Sequence, residues 1–404
     1  MQKEKKIWII SELYYPTLNS TGYYMTEIAE YLALKGHNVE VITTNLAYNE
    51  GSISYVRKEV NKNVSIHRVI LKQIDKNNFI SRLFRLLNSS SKLFYKSLKL
   101  ISKGDEVLVV TNPAFMILLM PLIKKLKHIN YRILVHDIFP ENLAAIKKIN
   151  SKSFTYKLLK NIFDKSYSQA INCISIGRDM SEVIKSKVGD RCEIKLIPNW
   201  SETDIVIPRN KNETKLLNEL NITNKFIFQF AGNLGHAQGL DNILEAIDLV
   251  KNPNIHFLFI GSGAKENIIK EKAVASKLKN ITHVDFMERS QQNNFLNACD
   301  VSIVTLNDRM FGLGVPSKCY NIMAVNKPIL LVAEENSEVG LYIKEFNIGW
   351  IVEPNKPIML AETFEHLFDM WTKNGDLGVS NSRIIAENYF SKKITLEKYN
   401  DLFE

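Results

Sequence analysis

The sequence predicts two doubly wound α/β domains, one after the other along 404 residues. Three observations carry that reading. Short apolar runs alternate with helical stretches over most of the chain, which is the pattern of βαβ units feeding a parallel sheet. The alternation restarts after a polar, proline-marked segment at 197–209. The length exceeds what one hydrophobic core ordinarily organises and suits two domains, each with its own interior.

Taken in order, Ile7-Trp-Ile-Ile10 reads as a buried parallel strand, helical apolar spacing follows over 26–35 and ends at Gly36, and a second strand runs over 39–43. The intervening loop, 14–22, closes on Gly22, where a glycine lets the chain turn sharply beside a ligand at a helix start. Further strands are expected at 65–70, 106–110, 131–136 and 170–176. After the segment at 197–209, read as the interdomain linker, a second series is expected at 226–231, 256–260, 281–286, 301–304, 328–332 and 350–352. Residues 382–404 keep a helical pattern and are long enough to pack back onto the first domain. The expected division is therefore 1–200, 201–383 and a returning helix at 384–404.

Composition narrows the class. A hydrophobic content of 45% with 24% charged residues excludes extended disorder and fibrous architectures. The four cysteines, Cys173, Cys192, Cys299 and Cys319, form no Cys-x-x-Cys pair, which argues against a zinc site or a disulfide framework and for a reducing compartment. The N-terminus runs into a strand without a cleavage site, so no export is expected. The longest uncharged stretch, 107–123, is interrupted by Pro113 and Pro121 and falls short of the roughly 20 apolar residues that a spanning helix needs.

The net charge of +9 is unevenly spread: residues 1–200 hold 31 Lys and Arg against 17 Asp and Glu, the remainder 21 against 26. The first half should therefore seek an anionic surface. Within it, 76–103 carries Lys76, Arg82, Arg85, Lys92, Lys96, Lys99 and Lys103 with no acidic residue, interleaved with apolar side chains. Such a helix can lie in an anionic lipid interface, with 114–127 as a second apolar contact, or pack on the core with a solvated basic face. No recognition helix, aromatic RNA-binding motif or zinc spacing supports nucleic-acid binding.

Two segments carry the chemistry. In 230–246 a strand ends in a loop punctuated by Gly232, Gly235 and Gly239 and then opens an amphipathic helix, whose unpaired N–H groups and partial positive charge suit a diphosphate. In 312–330 a second glycine-containing loop precedes Ser317, a candidate cap, Lys318, a candidate phosphate cation, and Asn321, a candidate ribose contact. Gly261 and Gly263 follow another strand and are expected at the same sheet edge, where ligands bind in open α/β folds. In the first domain His136 and Asp137 end a strand, where either could orient or deprotonate an acceptor, the histidine through a near-neutral pKa.

These segments resemble family 4 of the retaining glycosyltransferases, which have the GT-B architecture of two Rossmann-like domains facing a central cleft. The resemblance spans essentially the whole chain and rests on Tyr14-Tyr-Pro16 with Thr21-Gly22, Glu27–Leu32, Gly36–Val39, Asp137–Glu141, Ile197–Glu202, Ala231–Gly235, Ala237–Leu240 and Pro316-Ser-Lys318. Within the family it is strongest to bacterial enzymes of capsule, O-antigen and colanic-acid assembly that transfer fucosyl or N-acetylfucosaminyl-type sugars. It implies a nucleotide-sugar donor, with UDP as the expected nucleotide, and a polyprenyl-diphosphate-linked saccharide acceptor. It also implies a cytoplasmic enzyme held peripherally on the inner face of the membrane. The donor set it implies is Gly232, Asn233, Gln238, Gly239, Gly261, Gly263, Met287, Arg289, Ser317, Lys318 and Asn321. Asp137, His136 and Lys318 are its candidate catalytic groups, and Glu12, Thr21, Gly22 and Glu141 its acceptor contacts. The chain departs from the family pattern where the usual phosphate-binding Arg and Lys correspond to Asn233 and Gln238, and where the second Glu of the Glu-x7-Glu signature corresponds to Asn321. Lys318, helped by Arg289, is then the cation expected to balance the diphosphate. No Asp-x-Asp pair suggests a divalent ion, so neither a metal nor another cofactor is expected. A sugar-nucleotide epimerase of the same fold is the alternative.

Overall fold

The structure is a computed structural model and describes residues 5–17, 20–46, 56–71 and 79–404, apart from the side chains of Phe79, Ile80 and Arg82. The chain divides into two compact units, Met1–Pro198 together with Leu396–Glu404, and Asn199–Thr395.

In the first unit the described residues form eight strands: β1 (Lys6–Ile10), β2 (Asn38–Thr44), β3 (Lys58–Asn61), β4 (Val64–Val69), β5 (Glu106–Val110), β6 (Asn130–Val135), β7 (Asn172–Ser175) and β8 (Glu193–Leu196). Their order across the sheet is β3-β4-β2-β1-β5-β6-β7-β8. Only the β3–β4 pairing is antiparallel. The central strands are buried on both faces and accordingly read as near-continuous apolar runs. The expected strands are present within a few residues of their predicted bounds, but β3 and β8 were not anticipated. Both are four-residue edge strands with mixed sequences, KEVN and EIKL, and exposed positions, so they carry no apolar signal.

The second unit contains β9 (Phe226–Ala231), β10 (Ile255–Ile260), β11 (Ile281–Val284), β12 (Val301–Thr305), β13 (Ile329–Val332) and β14 (Gly349–Val352), in the order β11-β10-β9-β12-β13-β14. All pairings are parallel. Alternate residues of β9, Phe226, Phe228 and Phe230, share one face. Phe228 meets Phe257 of β10 at 5.7 Å and Phe364 of the helix Pro357–Asn374 at 4.6 Å between ring centroids. Each such buried ring contributes about 1.5–3 kcal/mol through removal of apolar area from water.

Each sheet has a point where strand order reverses, β2-β1-β5 in the first unit and β10-β9-β12 in the second. The crevice outside the strand C-termini at such a point is where open α/β sheets bind ligands. Every chemically suggestive residue of the sequence lies near one of these two edges or on the elements beside it.

Three expectations change. The first helix is Ser20–Leu34, so Thr21 and Gly22 lie in its first turn rather than in a loop, and the Gly22 carbonyl accepts from Thr26 Oγ1 at 2.7 Å. The segment read as a linker is packed from its start: Trp200 and Ser201 are buried, and Ser201 bridges to Ser391. That bridge also divides the terminal stretch into two helices, Ser382–Tyr389 and Lys392–Asn400, in place of one. Beyond Thr395 the chain belongs to the first unit, where Lys35 pairs with Glu397 at 2.5 Å, His37 Nε2 lies 3.0 Å from Asn400 Oδ1 and the Arg132 guanidinium lies 4.6 Å from the Phe403 ring centre.

Candidate active site

In the second unit β9 runs out at Ala231 into the glycine loop. Gly232 N donates to Ile260 O at 2.8 Å and Leu234 N to Ser262 O at 3.0 Å, which seats the loop on the turn that follows β10. A Cβ at Gly261 would stand 2.0 Å from Gly232 O, and one at Gly263 2.7 Å from Leu234 C. These two glycines are therefore required by the contact of one backbone with another. Gly239 has φ +59° and ψ 31° at the N-cap of the helix Leu240–Leu249, a left-handed conformation that glycine adopts without steric cost. The helix opens with unpaired N–H groups toward the same edge.

Lys318 comes from the other segment, at the first position of the helix Lys318–Ala324. The structure brings its ammonium to the glycine loop: a Cβ on Gly232 would lie 3.8 Å from Nζ. The nitrogen sits 3.3 Å from the centroid of the Phe230 ring, is shielded from solvent, and has no hydrogen-bond partner among the described residues. Burial lowers its pKa to about 7, against a small opposing effect of the Cys319 thiol. A shielded ammonium with only an aromatic face beside it is an uncompensated cation, and an anion entering the loop would gain a charge-assisted contact in a water-poor setting.

The remaining donor candidates fall into place less uniformly. Ser317 occupies the N-cap position, but its hydroxyl makes no capping bond. Its helical backbone, φ −61° and ψ −16°, differs from the extended one that capping favours. Asn321 Oδ1 accepts from Glu202 N at 3.0 Å, so the side chain is committed to the segment entering the unit. Asn233 is exposed and Gln238 half-buried, and Gln238 O accepts from Thr305 Oγ1 at 2.8 Å. Met287 and Arg289 follow β11 and are half-buried, with Arg289 Nη2 3.9 Å from Glu202 Oε2. Sequence reasoning missed Phe230 as the platform under Lys318. Its place in the alternating Phe226, Phe228, Phe230 series marked it only as core.

In the first unit the edge beyond β1, β5 and β6 gathers Glu12, Thr111, His136 and Asp137. Thr111 Oγ1 accepts from the backbone N of both His136 and Asp137 at 3.1 Å, and Glu12 N donates to Asn112 O at 3.0 Å. Glu12 is buried with Oε1 unpartnered among the described residues. Burial raises its pKa, opposed by the Arg85 charge and a Ser89 hydrogen bond. His136 Nε2 is likewise shielded without a partner among the described residues, with Tyr24 edge-on at 6.0 Å. The near-neutral pKa expected of it is corrected to about 4, because burial disfavours the imidazolium. Asp137 reaches solvent at its edge. Protein around its carboxyl raises its pKa, against the bond donated by Asn142 Nδ2 at 3.0 Å. This edge offers a neutral imidazole and two carboxyls, groups able to accept from hydroxyls. Glu141 stands apart: its carboxylate binds Lys187 at 2.7 and 2.9 Å and Lys160 at 3.2 Å. Its burial would raise the pKa, but the Lys187 charge outweighs that and leaves it lowered.

Among the described residues one group could hold a metal ion, Glu266, His283 and Asp285, whose ligand atoms lie within 4.8 Å of one another. Lys270 already pairs with both carboxylates, at 2.7 and 3.4 Å.

Residues 212–380 match the family model for glycosyl transferases group 1. WbjE of Pseudomonas aeruginosa, named as a probable glycosyltransferase, is 35% identical over 397 residues, covering 98% of this chain and 96% of the relative. The chain belongs to the group 1 glycosyltransferases. Another relative of this glycosyltransferase is WcaI of Escherichia coli K12, which carries the name of a colanic acid biosynthesis glycosyl transferase and is 25% identical over 362 residues, covering 86% of this chain and 88% of its own. Among solved structures, sucrose-phosphate synthase of Thermosynechococcus elongatus superposes with a TM-score of 0.75 at 15% identity, covering 99% and 98% of the two chains. Anabaena Alr3699/HepE, solved with UDP, superposes with a TM-score of 0.72 at 12% identity, covering 98% and 99%. These likenesses show the GT-B fold of the glycosyltransferase. The epimerase alternative finds no support in them.

Proposed function

We propose that this glycosyltransferase moves a sugar from a nucleoside diphosphate donor to a polyprenyl-diphosphate-linked saccharide during assembly of a bacterial surface polysaccharide, with retention of anomeric configuration and without a metal. The observation that carries the donor half is the shielded, unpartnered Lys318 ammonium beside the glycine loop. The UDP bound in HepE supports UDP as the nucleotide. The name of WcaI and the sequence resemblance support a surface polysaccharide and N-acetylfucosamine or another 6-deoxyhexose. In the reaction the bond between the anomeric carbon and the β-phosphate oxygen breaks with its electron pair leaving on the diphosphate. The acceptor oxygen bonds the same carbon on the same face, and its proton passes to the departing phosphate oxygen. Lys318 stabilises the charge that develops on that oxygen, and Asp137 and His136 orient the acceptor hydroxyl. The test is turnover of a panel of sugar nucleotides with lipid-linked acceptors, with product anomericity determined and chelator added in parallel. No transfer from any donor would reject the reading, an inverted product would reject retention, and loss of turnover with chelator would reject metal independence.

The membrane half rests on exposed side chains of the first unit. The helix Phe79–Leu100 presents Phe84, Leu87 and Tyr95 to solvent, at spacings that share one helical stripe. It turns Ser89, Ser90 and Ser97 inward. Leu122 and Leu126 of the helix Ala114–Lys127 and Phe154, Leu158 and Ile162 of the helix Phe154–Tyr167 are also exposed. Lys92, Lys99, Lys125, Lys157 and Lys165 reach solvent on these helices. Lys76 lies outside the described residues. No helix among the described residues is long and apolar enough to cross a membrane. Apolar side chains ringed by lysines suit an anionic bilayer surface. Co-sedimentation with phosphatidylglycerol vesicles should fall by about tenfold on Phe84→Ser with Leu87→Ser, from the transfer free energy of two large apolar side chains. Unchanged binding of that variant would remove this surface from the proposal.

A further inference from the structure

The stretch entering the second unit is fixed from several sides. Ser201 N donates to Phe390 O at 2.7 Å, Lys392 N to Ser201 O at 3.2 Å, Ser201 Oγ to Tyr320 O at 2.6 Å and Glu202 N to Asn321 Oδ1 at 3.0 Å. The carbonyl of Glu202 accepts from Ile205 N and Val206 N. Such redundancy in a segment without regular structure holds the Glu202 side chain in one place. Its exposure is only 9%, with Lys392 Nζ 3.5 Å from Oε1 and Arg289 Nη2 3.9 Å from Oε2. Both separations exceed the 2.7–2.9 Å typical of a charge-assisted hydrogen bond. The two cations thus keep the carboxylate ionised without taking up its acceptor directions.

Position gives this carboxylate its meaning. Asn321, which holds Glu202, stands three residues beyond Lys318 on the same short helix, so the two share a face about one turn apart. Arg289, on the other side of Glu202, follows β11 at the edge of the donor sheet. A carboxylate can accept from both hydroxyls of a vicinal diol, and an acidic residue on a ribose hydroxyl is a recurrent solution in nucleotide-binding α/β sheets. We infer that Glu202 receives the ribose 2′,3′-diol of the donor nucleotide, while Asn321 serves as the positioning residue that holds it. The inference rests on the donor reading above and moves ribose recognition from Asn321, where the sequence placed it, to a residue that the sequence marked only as linker.

The experiment measures calorimetric binding of UDP and of 2′,3′-dideoxy-UDP to the full chain and to its Glu202→Gln and Glu202→Ala variants, with thermal unfolding as a check of folding. Wild type should bind UDP at least about tenfold more tightly than the dideoxy form. Both variants should lose that discrimination by weakening UDP alone, as expected for loss of hydrogen bonds to a charged acceptor. A vicinal diol on the transferred sugar as the true partner would leave discrimination between these two sugar-free ligands intact in the variants, and that result would overturn the inference. Equal weakening of both ligands, the mark of a purely structural role, would overturn it too. Absence of UDP binding to wild type would instead remove the UDP reading on which it stands.

Discussion

Lys318 keeps an ammonium away from water beside an aromatic face, and a pKa lowered to about 7 by burial follows from that geometry. Because the folded value lies below the unfolded value of 10.5, the unfolded chain binds more protons between the two. The contribution of this residue to stability therefore increases as pH rises from about 7 toward 10.5. A bound diphosphate favours the protonated form, so binding takes up a proton above pH 7. UDP affinity should accordingly fall as pH rises from 7 to 9, by no more than about one decade per pH unit for a single group. Calorimetry in buffers of different ionisation enthalpy reads that uptake directly. In Lys318→Met the pH slope and the proton uptake should vanish, and turnover should fall by about 10²–10³-fold, the usual cost of one lost electrostatic contact to a developing oxyanion. A slope unchanged in the variant would place the titrating group elsewhere.

At the scale of elements, the donor site consists of loops resting on one another, and Gly261 is where this is tightest. A methyl group there would meet Gly232 O at 2.0 Å, with no flexible side-chain end to move aside. Gly261→Ala should cost about 1–3 kcal/mol or more in thermal unfolding, as overpacking does, and should displace the loop that receives Lys318. Gly375→Ala makes the control: its Cβ meets nothing within 4 Å, and only its φ of +68° is strained, a cost of about 1 kcal/mol with no effect on nucleotide affinity. Equal effects of the two would contradict the loop-on-loop account.

The same elements show what a sequence conveys. Buried strands such as β1, β5 and β9 were legible because parallel strands covered on both faces must be apolar throughout. The edge strands β3 and β8 were not, since they bury little and their pairing comes from the neighbouring strand. The glycine loop and Lys318 were legible as separate motifs. Their meeting over Phe230 was not, because a residue of the alternating phenylalanine series looks the same whether it fills a core or floors a site. Glu202 was hidden for a related reason: a polar segment flanked by prolines reads as connection, and only the hydrogen bonds from Tyr320, Asn321, Phe390 and Lys392 reveal a fixed scaffold.

For the whole molecule, each unit holds one buried histidine kept neutral. His136 in the first unit is lowered to about 4 by burial. His256 in the second, bonded to Thr282 Oγ1 at 2.9 Å, is lowered to about 4 by burial and the Lys225 charge. Both folded values lie below the unfolded value of 6.5, so the unfolded chain binds more protons between pH 6.5 and 4. Stability is lost as pH falls through that window. Acid unfolding should begin below pH 6.5, and His136→Gln or His256→Gln should each flatten the slope in that window. An unaltered pH–stability profile in both variants would show that these rings are charged in the folded state.

The division of the chain into units also sets a temporal order. The second unit is one uninterrupted stretch, Asn199–Thr395, whereas the first is completed only by Leu396–Glu404. During synthesis, with domains folding as units when their residues emerge, the domain that begins first must finish last. Its partly formed sheet waits, lacking Glu397, Asn400 and Phe403, until the ribosome has released the final turn of helix.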